Sequence, residues 1–180
     1  IDTTSPVLTI PADYTAECSD EHPMDAASAT DNCGEVIIEV VATTTPGSGV
    51  GCYSITRVFT ATDDCGNATS ATQIITIEDT TAPVLTIPAD YTAECSDAPH
   101  PMDDASAIDN CGDISISVES TTTEGACAGD YTITRVFTAV DDCGNSSSET
   151  QIISIIDTTS PEFTFVPADY TAECSDAHPM

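Results

Sequence analysis

Two kinds of side chain in this sequence could do chemistry, and both return at a fixed spacing. The first is a set of aspartates in short polar loops: Asp31-Asn-Cys-Gly34 and Asp63-Asp-Cys-Gly-Asn67, repeated as Asp109-Asn-Cys-Gly112 and Asp141-Asp-Cys-Gly-Asn145. Carboxylates converging from separate loops suit Ca2+, a hard cation that takes about six to eight oxygen ligands. The sets expected to converge are Asp79, Asp109, Asp141 and Asp142, beside Glu78 at the junction of the two copies, and Asp2, Asp31, Asp63 and Asp64 in the first copy. The EF-hand pattern Asp-x-Asp-x-Asp-Gly is missing. The same residues also read as Asx turns that cap their own backbone, and the sequence leaves both readings open.

The second kind is cysteine. Four fall in each copy, Cys18, Cys33, Cys52 and Cys65, then Cys95, Cys111, Cys127 and Cys143, with Cys174 as a ninth. No Cys-x-x-Cys pair occurs, which argues against a zinc cluster. Even numbers of cysteines at repeating positions in a small module fit disulfides in an oxidising, extracellular setting, because so small a core benefits from covalent staples.

Catalytic patterns are missing. There is no Gly-x-Ser-x-Gly, no His-Glu-x-x-His and no phosphate-cradling glycine loop. The three histidines repeat a single His-Pro-Met position, a proline-ordered loop. The sequence therefore assigns no catalytic residue and predicts a protein that is not an enzyme.

The formal net charge is −29, and the only cationic side chains are Arg57 and Arg135. Nucleic acid and anionic membranes need a positive face and are excluded as partners, and no apolar run is long enough for membrane insertion. A lone arginine in so acidic a chain is expected to pair with a carboxylate, so Arg57 and Arg135 read as structural ion pairs. Asn67-Ala-Thr and Asn145-Ser-Ser are sequons at matching loop positions, candidate glycosylation sites that make glycans a candidate partner.

The elements that must position these residues come from the repeat itself. Tyr53 to Asn67 returns almost letter for letter as Tyr131 to Asn145, and Pro6-Val-Leu-Thr-Ile returns at Pro83 and, altered, at Pro161, spacings of 77 and 78 residues. The expected organisation is one repeat over 2–78, a second over 79–156, and the opening of a third at 157–180. The β-branched and aromatic run before each Asp-Asp-Cys-Gly-Asn predicts a long strand ending in a tight acidic loop. Further strands are expected at 7–10, 13–18, 36–41, 71–77, 114–118 and 150–156, with 19–29 an irregular strand or a loop and 43–51 and 121–130 as Thr/Gly-rich hairpins. With no helical periodicity, this predicts an all-β fold: antiparallel immunoglobulin-like β-sandwich repeats, disulfide-stapled and stacked end to end.

Pairing follows from that geometry. Cys52 and Cys65 flank one extended strand and should lie at least ~25 Å apart, beyond the reach of a disulfide. The hairpin register sets Cys33 opposite Cys65 and Cys111 opposite Cys143. Cys18–Cys52 and Cys95–Cys127 then follow by elimination at the other end of each sandwich. If the strand Asp13–Cys18 runs parallel to the last strand, each module is entered at its acidic-loop end and left at the opposite end.

Ala-Thr-Asp-Asn-Cys-Gly, Tyr-x-Ile-Thr-Arg-Val-Phe-Thr-Ala-x-Asp-Asp-Cys-Gly-Asn and the junction Asp-Thr-Thr-Ala-Pro together resemble the tandem hyalin-repeat (HYR-like) modules of secreted bacterial surface proteins. The resemblance spans both repeats and the third opening. It implies an extracellular immunoglobulin-like module used in adhesion or as a spacer. The expected function is structural: a tandem-repeat rod or filament, secreted or on the cell surface, that self-associates end to end. The alternative is a calcium-dependent adhesion module that recognises glycan or host protein.

Overall fold

The computed structural model describes residues 1–97, 99–166, 168, 169 and 171. Cys174, the third His-Pro-Met and the rest of the third opening past 171 lie outside them. The described chain is all strand and loop, in two sets of six strands with the same order and pairing.

The first set contains β1 (Val7–Thr9), β2 (Tyr14–Glu17), β3 (Ser28–Thr30), β4 (Val36–Gly49), β5 (Cys52–Asp63) and β6 (Ala68–Glu78). The second contains β7 (Val84–Thr86), β8 (Tyr91–Glu94), β9 (Ser106–Ile108), β10 (Ile114–Glu124), β11 (Tyr131–Asp141) and β12 (Ser146–Ile156). In each, a four-stranded sheet, β2-β6-β5-β4 or β8-β12-β11-β10, faces a two-stranded layer, β1-β3 or β7-β9. β2 runs parallel to β6, with Tyr14 opposite Ile75, and β8 runs parallel to β12. The expected immunoglobulin-like sandwich repeats are what the chain forms.

Period-two alternation organises each core. β5 turns Ile55, Arg57, Phe59, Ala61 and Asp63 inward, and β6 adds Gln73, Ile75 and Ile77. Ile55, Ile75 and Ile77 form a cluster against which Tyr14, Ala16, Cys18 and Tyr53 pack. Each fully buried isoleucine or phenylalanine contributes about 1.5–3 kcal/mol. So few of them give a module of this size a thin margin over chain entropy, and cross-links matter accordingly.

The two stretches expected as Thr/Gly-rich hairpins extend the strands before them. β4 continues past Val41 to Gly49, and β10 reaches Glu124, because Thr43, Thr44 and Thr45 are β-branched and pair with Thr56, Ile55 and Ser54. The polar segment 19–29 ends in β3, whose Ala29 pairs with Leu8 to complete the second layer. The His-Pro-Met loops are held by tyrosines: Tyr14 Oη donates to the Pro23 carbonyl at 3.0 Å and Tyr91 Oη to the Pro101 carbonyl at 2.8 Å.

The expected ion pairs at Arg57 and Arg135 are corrected. Arg57 Nη1 donates to Gln73 Oε1 at 2.9 Å, and Arg135 Nη1 donates to Gln151 Oε1 at 3.0 Å and to the Asp103 carbonyl at 2.8 Å. Each guanidinium also lies over a phenylalanine ring, 4.7 Å from the Phe59 centroid and 4.6 Å from that of Phe137. The cause is the register. Arg57 sits directly across from Gln73 on the inner face, where a neutral amide and an aromatic face accept the guanidinium without burying a second charge.

Candidate functional site at the module junction

The Asp-Asp-Cys-Gly-Asn loops are Asx turns. Asp141 Oδ1 accepts from the backbone N–H groups of Cys143, Gly144 and Asn145 at 2.9, 2.7 and 2.9 Å, and its Oδ2 accepts from Asn145 Nδ2 at 2.9 Å. Asp63 is held likewise by Cys65, Asn67 and the Asn67 amide. Burial pushes the Asp141 carboxyl up, but the donors from Asn145, Gly144 and Cys143 prevail and leave it below its ordinary range. Asp63 is lowered first by the Asn67 side chain, against burial.

Around each turn stand two further carboxylates. Oxygens of Asp79, Asp109 and Asp141 all lie within 4.8 Å of one another, as do those of Asp2, Asp31 and Asp63. In the junction set, Asp79 is only 5 % exposed. Its Oδ1 accepts from Thr81 N–H at 3.1 Å, and Asp109 Oδ2 accepts from Cys111 N–H at 2.9 Å. The other oxygens, Asp79 Oδ2 and Asp109 Oδ1, are buried with no partner among the described residues, and so are Asp2 Oδ2 and Asp31 Oδ1 in the first module. Burial, together with the nearby Asp109 and Asp141 charges, raises the Asp79 carboxyl despite the Thr81 N–H. Its folded value lies above its unfolded one, so ionised Asp79 costs the junction stability at neutral pH unless a cation offsets it.

Buried oxygens left without a partner are expensive. The same orphaned pair at two sites, beside a third carboxylate, is what a hard cation would satisfy. The donor set fits Ca2+: oxygen only, with charge in excess. Cys18 and Cys111 also approach Asp79, but they are bonded to each other and offer no thiolate. Asp142 and Asp64 do not join the clusters. Asp142 Oδ2 accepts from Asp113 N–H at 3.4 Å and Asp64 Oδ2 from Glu35 N–H at 3.3 Å, so each caps the start of the neighbouring strand.

The expected cysteine pairing is corrected, and the correction defines the site. Cys18 bonds Cys111, with Cα atoms 6.3 Å apart, and Cys52 bonds Cys143, 5.9 Å apart. Both cross from the trailing end of the first module, opposite its acidic loops, to the leading end of the second. Cys18–Cys52 fails because β6 lies between β2 and β5, which separates the two cysteines by about two strand spacings, roughly 9–10 Å, past disulfide reach. Cys111–Cys143 is not formed because the β4–β5 tip at Gly51 lies against both cysteines and each bonds a first-module cysteine instead, and Cys33–Cys65 at the matching leading end is not formed either. Asx turns at Asp31, Asp63, Asp109 and Asp141 hold the N–H groups of these four cysteines. Among the described residues Cys33, Cys65, Cys95 and Cys127 are unbonded, so Cys95–Cys127 is not formed either.

The rest of the junction fits these bonds. The β4–β5 tip presses on the second module's acidic loop: a Cβ on Gly51 would sit 2.9 Å from Cys111 Cβ and 3.5 Å from Asp79 Cβ, and one on Gly49 would overlap Asp142. Glycine is what allows that approach. Glu17, at the end of β2, accepts from Thr80 N–H at 2.9 Å and Thr81 Oγ1 at 3.0 Å. The Thr80 N–H is the chief reason its carboxyl lies below the usual range. Asn145 Nδ2 donates to the Asp79 carbonyl at 2.9 Å and Ser147 Oγ to the Pro83 carbonyl at 2.6 Å, seating the linker in the second module.

This bears on the sequons. Asn145 Nδ2 gives its two protons to Asp79 and Asp141, and Asn67 Nδ2 gives its two to Asp2 and Asp63. A sugar on either nitrogen would replace one of these two protons, so glycosylation there would give up one of the two bonds.

No helix of the described structure is long and apolar enough to cross a membrane. No curated protein matches the sequence. Solved structures that resemble the fold include Drosophila N-cadherin EC1-4, with 15% identity, TM-score 0.37, and 86% of this chain aligned to 50% of that one. Mouse cadherin-23 EC22-24 gives 13%, 0.34, 84% and 67%, and human mucin-like protocadherin EC1-2 gives 9%, 0.33, 84% and 99%. The chain thus spans half the length of the N-cadherin fragment, and likeness at this level does not extend to ligands or partners. In sequence, residues 6–77, which hold the first set of six strands, match the family model of the HYR-like domain with 4 cysteines and read as an HYR-like module.

Proposed function

We propose that this chain is a structural, non-catalytic segment of an extracellular tandem-repeat protein. Modules at 2–78 and 79–156 are joined in line into a rod or filament, and the junction, not a ligand pocket, is the functional site. The observation that carries this reading is the pair of disulfides running from the trailing end of one module to the leading end of the next. Two bonds between the same two faces restrict both bending and twisting, which a single tether does not. Formed disulfides also accord with an oxidising, extracellular compartment.

Ca2+ is the cation proposed for the junction, held by Asp79, Asp109 and Asp141, with Asp2, Asp31 and Asp63 as the matching set at the leading end of the first module. Bound there it would neutralise three carboxylates and tie the linker aspartate to two loops of the following module. The test combines calcium titration with imaging of the purified chain. Ca2+ at a hundred times its Kd should stabilise the fold by about 2.7 kcal/mol per site, Asp109→Asn should abolish that gain at the junction, and electron micrographs should show straight two-module particles. A melting temperature indifferent to both Ca2+ and chelator would remove the metal. Compact or freely bent particles would remove the rod.

A further inference from the structure

β4 and β10 are the outer edges of the two four-stranded sheets, and among the described residues β5 is the one strand hydrogen-bonded to β4. β4 is 14 residues long and carries a single charged side chain, Glu39, in a chain that is 18% charged. Long edges are usually blunted by charge, a bulge or a covering segment, because their free N–H and C=O groups template another strand. The one irregularity in β4 lies past Pro46, at its tip. We propose that β4 pairs with β4 of a second copy of this chain, antiparallel about a two-fold axis at Val41, so that one sheet runs through both molecules.

The backbone sets which groups are free. Ile74 gives its N–H to Asp13 on the β2 side, so Thr56 opposite it turns to β4 and bonds Thr43. Odd-numbered residues of β4 are therefore spent on β5, and Ile38, Val40, Ala42 and Thr44 hold their N–H and C=O groups at the open edge. The odd-numbered side chains stand on the outer face, where Ile37 is 67% and Val41 64% exposed. Val41 lies opposite Val58, and Ile74 lies diagonally beyond on β6, an apolar strip across the sheet that ends at the free edge. In the second module Ser115 and Glu119 stand where the first has Ile37 and Val41, so the apolar edge belongs to the first module and not to the repeat.

A second copy is the occupant that this edge fits. Centred on Val41, the pairing sets Val41 against its own copy, Glu39 against Thr43 and Ile37 against Thr45, while Val40 exchanges backbone bonds with Ala42 and Ile38 with Thr44. No carboxylate then faces another, whereas a two-fold at Glu39 would set two glutamates directly opposite, which destabilises a sheet pair. A strongly basic partner would find one carboxylate along the whole strand. The direction of β4 permits the contact: it runs from the acidic-loop end, where Val36 opposes Asp63, to the tip where Gly49 meets Asp142 of the second module. Antiparallel first modules therefore send the second modules away in opposite directions. The contact is lateral and independent of the disulfide junction. The net charge of −29 on each copy opposes it, so the dimer should tighten as salt screens that repulsion.

The test uses the full chain with Cys33, Cys65, Cys95, Cys127 and Cys174 replaced by serine and its junction disulfides formed. Sedimentation equilibrium should show monomer and dimer in exchange, shifting to dimer with added sodium chloride. Val41→Glu copies the side chain that the second module already carries at Glu119 and so leaves the fold intact; it should raise the dimer Kd by about tenfold or more. Cross-linking reads the register. Oxidised with glutathione disulfide, Val41→Cys should give a disulfide-linked dimer, because facing residues of a non-hydrogen-bonded pair have Cα atoms about 4.5 Å apart. Glu39→Cys should not, because its copy lies four residues along the strand, about 13 Å away. A chain monomeric at every salt concentration, which would leave the edge to a strand of another protein or to none, overturns the proposal. So does a dimer that Val41→Glu leaves unchanged, or one that links through Glu39→Cys as readily as through Val41→Cys.

Discussion

Replacing Cys18 and Cys111 by serine removes a bond that closes 93 residues of chain. A cross-link stabilises mainly by denying conformations to the unfolded chain, and for a loop of that size the chain-entropy estimate is about 4.5 kcal/mol. The second bond spans 91 residues over much of the same stretch. With Cys52–Cys143 in place the first closes a smaller effective loop, so the single-bond loss should fall below that figure and the two losses should not add. For a chain of this size each kcal/mol shifts the melting midpoint by about 2–4 °C, so the upper bound is a fall of roughly 9–18 °C. Thermal unfolding of the oxidised double variant, followed by far-UV circular dichroism beside the wild type, reads this directly. Reductant should lower the wild type at least as far as the variant. A variant that melts within about 2 °C of wild type, or a wild type indifferent to reductant, would refute the argument that the bond joins distant parts of the chain.

Other expectations concern single side chains. Gly51→Val should block closure of the junction, since its Cβ would meet Cys111 and Asp79; free-thiol counting should find Cys18 and Cys111 reactive while each module keeps its strand signal, and a variant with both bonds intact would contradict the close approach. Arg57→Met strands Gln73 Oε1 and lifts the cation from Phe59, so it should cost about 1–3 kcal/mol in denaturant unfolding, and a double-mutant cycle with Gln73→Met should show clear coupling; zero coupling would contradict the pairing. Glu17 has its carboxyl lowered, chiefly by the Thr80 N–H. Its contribution is therefore present above the unfolded value of 4.5 and lost as pH falls below it through the lowered folded value. Between pH 6 and 3 the wild type should lose more stability than Glu17→Gln, whereas parallel pH curves would mean that Glu17 seals nothing.

The sandwich was legible because period-two alternation in Tyr53 to Asp63 and its copy is a local signal: which face is buried follows from neighbours in sequence. The strand character of Thr43–Thr45 was hidden by the glycines and proline that follow, and β3 by the polar run before it. The acidic clusters were legible in part. Asp79, Asp109 and Asp141 converge because each opens a loop at the same end of the fold, but Asp64 and Asp142 face the adjoining strand, a direction that backbone spacing does not reveal. Arg57 was misread because the charge of the whole chain says nothing about which residue stands opposite it on the next strand. The cysteine pairing failed for a reason of scale. The expectations that Cys18 and Cys52 share one end, that Cys33 and Cys65 share the other, and that modules stack end to end already imply that trailing cysteines meet the leading cysteines of the next module. Pairing them within each module treated a property of the junction as one of the fold.

Disulfide mapping of the oxidised chain, by proteolysis without reduction and mass spectrometry of the linked peptides, tests this account most directly. Peptides joining Cys18 to Cys111 and Cys52 to Cys143 are what it predicts. Peptides joining Cys18 to Cys52, or Cys111 to Cys143, would place every cross-link inside a module and contradict it.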